Sequence, residues 1–231
     1  MKDSTQLDLL NLSSSFSKLL KKRFGKGPES CWAIFNRGRL YISVRNFITP
    51  AEEVLIKKQE NELAKRFRSS VLSAVVEEFI PTASEVVGID FKYFFHDWNY
   101  SSNTGFILLE QNHSEHERGE DVSNASHFLK EVEVIGSQLH RRPEKVRKIL
   151  NSPNLCAIEV IGVQTYLESL LYESGNSELL HRHLDEIKCG YIKHLSQLEK
   201  VFNQSLEDVF ILGDYERNRY VLITVFPKNT F

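Results

Sequence analysis

The sequence predicts an α+β protein made as a tandem repeat of one helix-β-β-helix-β-β module, each copy a mainly antiparallel four-stranded sheet with helices on one face. Three observations carry that expectation. Motifs recur along the chain at a nearly constant separation, apolar residues switch between helical and strand periods in the same order in both halves, and 231 residues suffice for two domains with their own cores.

Pro28-Glu29, Phe35-Asn36 and Leu40 are matched by Pro143-Glu144, Leu150-Asn151 and Leu155, all 115 positions later. One inserted residue shifts the register to 116, which aligns Ile42-Ser43-Val44 with Ile158-Glu159-Val160, Thr49-Pro50-Ala51-Glu52 with Thr165-Tyr166-Leu167-Glu168, and Leu55 with Leu171. Farther on, Phe94 to Asp97 fall near Ile211 to Asp214, and Phe106 to Leu109 near Tyr220 to Ile223. The second copy reads as degenerate, because Gly25-Lys26-Gly27-Pro28 becomes His140-Arg141-Arg142-Pro143. Residues 1–112 are expected to form the first module, 113–123 an acidic linker whose signal runs on through Ser126, and 124–231 the second module.

Leu9, Leu12, Phe16, Leu19, Leu20 and Phe24 recur at helical spacing, and Gly25 marks a stop after the basic turn Lys21-Lys22-Arg23. Cys31 to Phe35 and Leu40 to Arg45 flank the glycine-containing connection of a hairpin, and Asn151 to Asn154 does the same later. Thr49, Pro50 and Glu52 spell a capping box that opens the next helix. Leu63, Phe67, Val71, Val75 and Phe79, with Ala64, Leu72, Val76 and Ile80 beside them, then step along one face of a long helix expected to end before Pro81, after a break at Gln59 to Asn61. In the second copy Leu180, Leu184, Ile187, Tyr191, Leu195 and Leu198 fill that role, behind a break at Gly175-Asn176. Val87, Ile89, Phe91, Tyr93 and Phe95 alternate as a half-buried strand, and Thr104 to Leu109 returns as its neighbour.

Composition excludes several classes. Hydrophobic content of 41% with 26% charged residues suits a packed globular chain rather than a disordered or fibrous one. No stretch approaches the roughly 20 apolar residues needed to cross a bilayer, and Met1 to Ser15 lacks a signal pattern, so cytoplasmic residence is expected. Cys31, Cys156 and Cys189 are odd in number and far apart, which predicts reduced, buried thiols and neither a disulfide framework nor a zinc pattern. From Lys18 to Arg68 thirteen Lys/Arg face five Asp/Glu, whereas Glu77 to Asp121 holds ten acids against Lys92 and Arg118.

Searches for chemistry find little. No nucleophile elbow is present. His113 and His116 with Glu115, Glu117, Glu120 and Asp121 could ligate a metal, but an acidic linker produces such a cluster by composition, so no metal or cofactor is expected. Gly25-Lys26-Gly27-Pro28 offers glycines and a lysine to an anion, yet follows a helix and precedes a strand, the reverse of a phosphate loop. Arg66 and Arg68, with Lys65, Arg37, Arg39 and Arg45, could converge on an anionic partner; solvated surface charge is the plainer alternative. The aromatic run Phe91 to Tyr100 raises base stacking, but its neighbours are acidic and its alternation points inward, so nucleic acid is not the expected partner.

The first copy resembles the MpsC family of small bacterial proteins named for a proposed sodium-translocating, membrane-potential-generating system. The resemblance rests on Gly25-Lys26-Gly27-Pro28, the strand before Thr49-Pro50-Ala51-Glu52-Glu53, Arg68, the Glu85-Val86-Val87-Gly88 approach to a strand, and the final apolar run. It implies a non-catalytic accessory or regulatory subunit of a membrane ion-translocating complex, peripheral at the inner face of the membrane; it carries over no site residues, and the residues themselves offer Gly25, Lys26, Gly27, Pro28, Arg45, Arg66 and Arg68 as docking or anion-binding candidates. A small-ligand sensor for an anion or nucleotide, and a nucleic-acid-binding regulator, stay open as alternatives. Tandem copies also suggest a pseudo-dimeric monomer or a homodimer as the protein's assembly state.

Overall fold

The computed structural model describes residues 5–111 and 127–227. The chain divides into two compact units, Met1–His116 and Glu117–Phe231. The expected acidic linker, with His113 and His116, lies outside the described residues. The first module runs α1 (Gln6–Phe24), β1 (Ser30–Asn36), β2 (Arg39–Arg45), α2 (Pro50–Lys57), α3 (Asn61–Val87), β3 (Phe91–Asn99) and β4 (Thr104–Gln111). The second runs α4 (His127–Leu139), β5 (Lys145–Ser152), β6 (Leu155–Ile161), α5 (Tyr166–Glu173), α6 (Ser177–Lys193), α7 (Leu195–Phe202), β7 (Asp208–Asp214) and β8 (Arg219–Val225). The sheets have the orders β1-β2-β4-β3 and β5-β6-β8-β7, and every pairing is antiparallel.

Each core forms between one sheet face and the helices. In the first module Leu40, Ile42, Val44, Ile107 and Leu109 project from the central strands onto Leu12, Phe16 and Leu20 of α1 and Leu72, Val76 and Phe79 of α3. Phe16 meets Phe79 edge to face at 4.9 Å between ring centroids. In the second, Cys156, Ile158, Val160, Tyr220 and Leu222 meet Leu129, Val132, Ile135, Ile187 and Tyr191. Free Cys156 is buried, which pushes its thiol up to about 12, and Cys31 is half-buried; Cys189 is exposed on α6, contrary to the expected burial.

Local signals place the elements. Gly25 stops α1 in the left-handed region at φ 76°, and the β1–β2 turn is left-handed at both Arg37 and Gly38, which matches the twist of a tight hairpin. Thr49 and Thr165 cap α2 and α5 through the expected boxes with Glu52 and Glu168. An asparagine clamp that the repeat comparison did not pick out supports both boxes. Asn103 Oδ1 accepts from the Phe47 and Ile48 amides at 2.8 Å each, and Asn218 Oδ1 accepts from the Gln164 amide at 2.8 Å. Both asparagines have positive φ, which their short polar side chains tolerate.

Four expectations need correction. Helix α3 does not end before Pro81 but runs through it to Val87, and Gly88 is its left-handed cap. Pro81 and Glu77, one turn earlier, are both exposed, so the helical bond lost at proline falls on the solvent side while Phe79, Ala83 and Val87 keep the buried face continuous. Val87 and Ile89 therefore precede β3 rather than belong to it. The buried face of α3 is Ala64, Arg68, Leu72, Val75, Val76 and Phe79, whereas Leu63 and Phe67 are exposed. The long helix of the second copy splits at His194 into α6 and α7. Finally, strand pairing matches Trp98 with Gly213 and Gly105 with Tyr220, because Trp98 faces Gly105 and Gly213 faces Tyr220 across equivalent hairpins. Asp214 thus takes the place of Asn99, not of Asp97.

Candidate functional site

The capping box of the first module continues into a buried ion pair. Glu52 Oε2 accepts from Thr49 N at 2.9 Å and Thr49 Oγ1 at 2.7 Å, which fixes the carboxylate beneath the start of α2. Arg68, on the buried face of α3, then donates through Nε to Oε1 and through Nη2 to Oε2, both at 2.6 Å, and through Nη2 to Phe47 O at 3.0 Å. Its guanidinium lies 3.8 Å from the Trp98 ring centroid and within 6 Å of Phe24, Phe47 and Tyr100. A bidentate pair flanked by aromatic faces is how an arginine is held inside a protein. Arg68 is 2% exposed, so it is closed inside the module and presents no charge to a partner.

The other basic candidates scatter. Lys26 Nζ donates to Ile48 O at 2.9 Å, tying the Gly25 to Pro28 segment to the loop before α2. Gly25, Lys26 and Arg66 are exposed, Gly27, Pro28 and Arg45 half-buried. Lys22 and Arg23 share Glu78 of α3, and Arg39 is buried against Glu110 at 2.8 Å. Part of the basic stretch is thus spent on internal pairing, and of the docking candidates Lys26 and Arg66 are exposed together with Gly25. Of the aromatic run, Phe91 and Trp98 are buried.

At the equivalent place in the second module the filling is gone. Val163 stands for Phe47, Leu184 for Arg68, Gly213 for Trp98 and Tyr215 for Tyr100. What remains is a recess with about 20 Å³ for the centre of a water molecule, lined by His140, Val163, Glu168, Leu184, Tyr215 and Tyr220 among others. Glu168 keeps its cap, with Oε2 accepting from Thr165 N at 2.7 Å and Thr165 Oγ1 at 2.6 Å. Its basic neighbour is now His183, one residue before Leu184, whose Nε2 reaches Oε1 at 3.2 Å from the half-exposed side. Burial alone would raise the Glu168 carboxyl, but the bonds from His183 and Thr165 outweigh it and hold the group at about 2. The carboxylate in turn raises His183 above its ordinary value.

A second polar chain closes the other wall. His140 Nδ1 lies 2.6 Å from Arg141 O, and Nε2 lies 2.7 Å from Tyr220 Oη, which is 2.7 Å from Tyr191 Oη. Burial lowers the His140 pKa, so the neutral ring donates through Nδ1–H to the carbonyl and accepts at Nε2 from Tyr220, while the single Tyr191 hydroxyl proton also points to Val132 O at 3.3 Å. Asp214 Oδ2 accepts from Arg219 Nε at 2.8 Å and lies 2.6 Å from Arg217 Nε, while Glu159 bridges Arg219 and Arg147. Among the described residues no group of three or more His, Cys, Asp or Glu could hold a metal ion. The sequence signal for this recess was the exchange of Gly25 for His140 and of Arg68 for Leu184, visible once the registers are aligned; His183, Tyr215 and Tyr220 carried no motif.

Residues 9–110 match the family model described as Na+-translocating membrane potential-generating system (MpsC), a span that covers the first module from α1 into β4. No curated protein and no solved structure matches the chain.

Proposed function

We propose that this protein is a non-catalytic accessory or regulatory subunit of a membrane system that moves Na+ or sustains the membrane potential, docked at the cytoplasmic face through its first module. The match of that whole module to a family described in those terms carries the reading. Among the described residues no helix is long and apolar enough to cross a membrane, so an α-helical ion path would belong to a partner. The docking face we favour is the elbow of α2 and α3. Val54, Leu63 and Phe67 are exposed there, as are Lys57, Lys58 and Arg66, with Glu53 and Glu60. An apolar centre with a charged rim suits a protein surface of complementary charge.

The test is affinity purification of the tagged chain from its own cells after mild crosslinking, with membrane and soluble fractions read separately by mass spectrometry. An integral membrane ion-translocating subunit is expected among the crosslinked partners, and its recovery should fall in a Phe67→Ala, Arg66→Ala variant. Recovery of soluble partners alone would overturn the reading.

A further inference from the structure

The chain contains its own comparison for the recess beside Glu168. In the first module one cationic group, Arg68 Nη2, closes two acceptors, Glu52 Oε2 at 2.6 Å and Phe47 O at 3.0 Å. The equivalent acceptors in the second module are Glu168 Oε2 and Val163 O, and both residues line the recess. Glu168 Oε2 receives only the two bonds from Thr165, whereas Glu52 Oε2 receives the same two from Thr49 and a third from Arg68. Among the described residues none donates to Val163 O. Leu184, standing where Arg68 stands, cannot donate, and His183 serves only the other carboxylate oxygen. A carboxylate oxygen with one donor fewer than its counterpart, and a carbonyl with none on a residue lining the same recess, are where a cationic donor gains most.

Size and charge narrow the occupant. The recess has about 20 Å³ for the centre of a water-sized group and opens to solvent, which suits a compact ammonium better than a broad planar group. The remaining charges on its walls are spoken for. Asp214 is closed by Arg219 and Arg217, and Arg219 also meets Glu159. His140 lies on the wall with its pKa lowered by burial, so it adds no charge near neutral pH. We infer that this recess binds an ammonium group, borne by a small amine or by the lysine side chain of a partner, with Glu168 Oε2 and Val163 O as its acceptors. The inference stands apart from the docking role of the first module and can fail or hold independently of it.

The test is amide NMR of the full chain titrated with methylammonium at constant ionic strength, with tetramethylammonium as a cation that has no N–H to donate. Saturable shifts at Val163, Gln164 and Glu168 with methylammonium alone are expected. Glu168→Gln, which keeps an acceptor for the cap, should weaken binding by about tenfold or more, the worth of one charge-assisted hydrogen bond. Leu184→Arg, which restores the first module's arginine, should abolish it. A blocked lysine amide that binds more tightly than methylammonium would point to a partner's side chain, and equal affinity to a free amine. Absence of saturable shifts with methylammonium, equal shifts with tetramethylammonium, or unchanged binding in Leu184→Arg would each overturn the assignment.

Discussion

The two modules share strand order, capping boxes and asparagine clamp, yet their centres are opposites. The first buries a guanidinium on Glu52 and packs it with Trp98, Phe24 and Phe47. The second puts Leu184 there and leaves a recess walled by His140, Glu168 and Tyr220. Even the bulk changes strands. Trp98 of β3 lies over Gly105 of β4, whereas Gly213 of β7 faces Tyr220 of β8. The contrast shows which features hold the fold. Backbone devices at the loop before α2 and α5 are kept in both copies, while the centre they surround accepts an ion pair in one and a polar-walled space in the other.

The sharpest way to break the comparison is to remove the arginine. Arg68→Ala leaves Glu52 buried without its cation and should destabilise the first module by about 3–5 kcal/mol. Hydrogen exchange of the full chain should show this as lost protection in α3 and β3, with the second module unchanged. A uniform loss across both modules would mean that the two do not open separately.

Adding a methyl group at the exchanged pair comes next. A Cβ on Gly105 would lie 1.9 Å from the Trp98 ring, so Gly105→Ala must displace a large aromatic at a cost of about 1–3 kcal/mol. A Cβ on Gly213 would lie 2.4 Å from a Leu184 methyl, the far end of a flexible side chain beside open space. Gly213→Ala should therefore cost less than Gly105→Ala in urea denaturation followed by module-specific amide signals. Equal costs would show that the recess does not relax.

The caps test the shared part. Thr165→Ala should cost about 1 kcal/mol, as N-cap losses do, and Thr49→Ala somewhat more, because the hydroxyl donor it removes serves a carboxylate that is wholly buried. The same exchange experiment ranks them.

The smallest effects are in pH. His183 has a folded pKa above the ordinary 6.5, so its stabilisation is complete below that value and fades as pH rises through the folded one. Glu168, held at about 2, contributes above about 4.5 and loses its contribution as pH falls through 2. His140 is depressed, so its contribution is present above 6.5 and lost as pH falls through its folded value. Ring-proton NMR should find His183 titrating above His140, and Glu168→Gln should lower the His183 value. An unmoved His183 would remove the pair from the account.

Much of this was legible in the residues. Thr49-Pro50-Ala51-Glu52 and Thr165-Tyr166-Leu167-Glu168 predict two capped helices because a capping box closes within four residues. Gly25 and Gly38 predict their turns because only local sterics decide a positive φ. The repeat itself was visible as recurring motifs, and with it the α+β module and its strand order within each hairpin. Charge, by contrast, was legible only as composition: the run from Lys18 to Arg68 looked like one basic face, and the fold turns Arg39 and Arg68 inward and pairs Lys22 and Arg23 with Glu78.

The sequence alone determined features that close within a few residues: the capping boxes, the Gly25 and Gly38 turns, and the order of elements. Only the tertiary structure decided that Arg68 belongs to the core, that α3 carries its apolar face through Pro81, and that Trp98 answers to Gly213. Arg68 meets a carboxylate 16 positions away, and Phe79 on the continued face meets Phe16. The free energy of burying a guanidinium is set by whether a carboxylate and an aromatic face arrive from elsewhere in the chain, and no local pattern records that arrival.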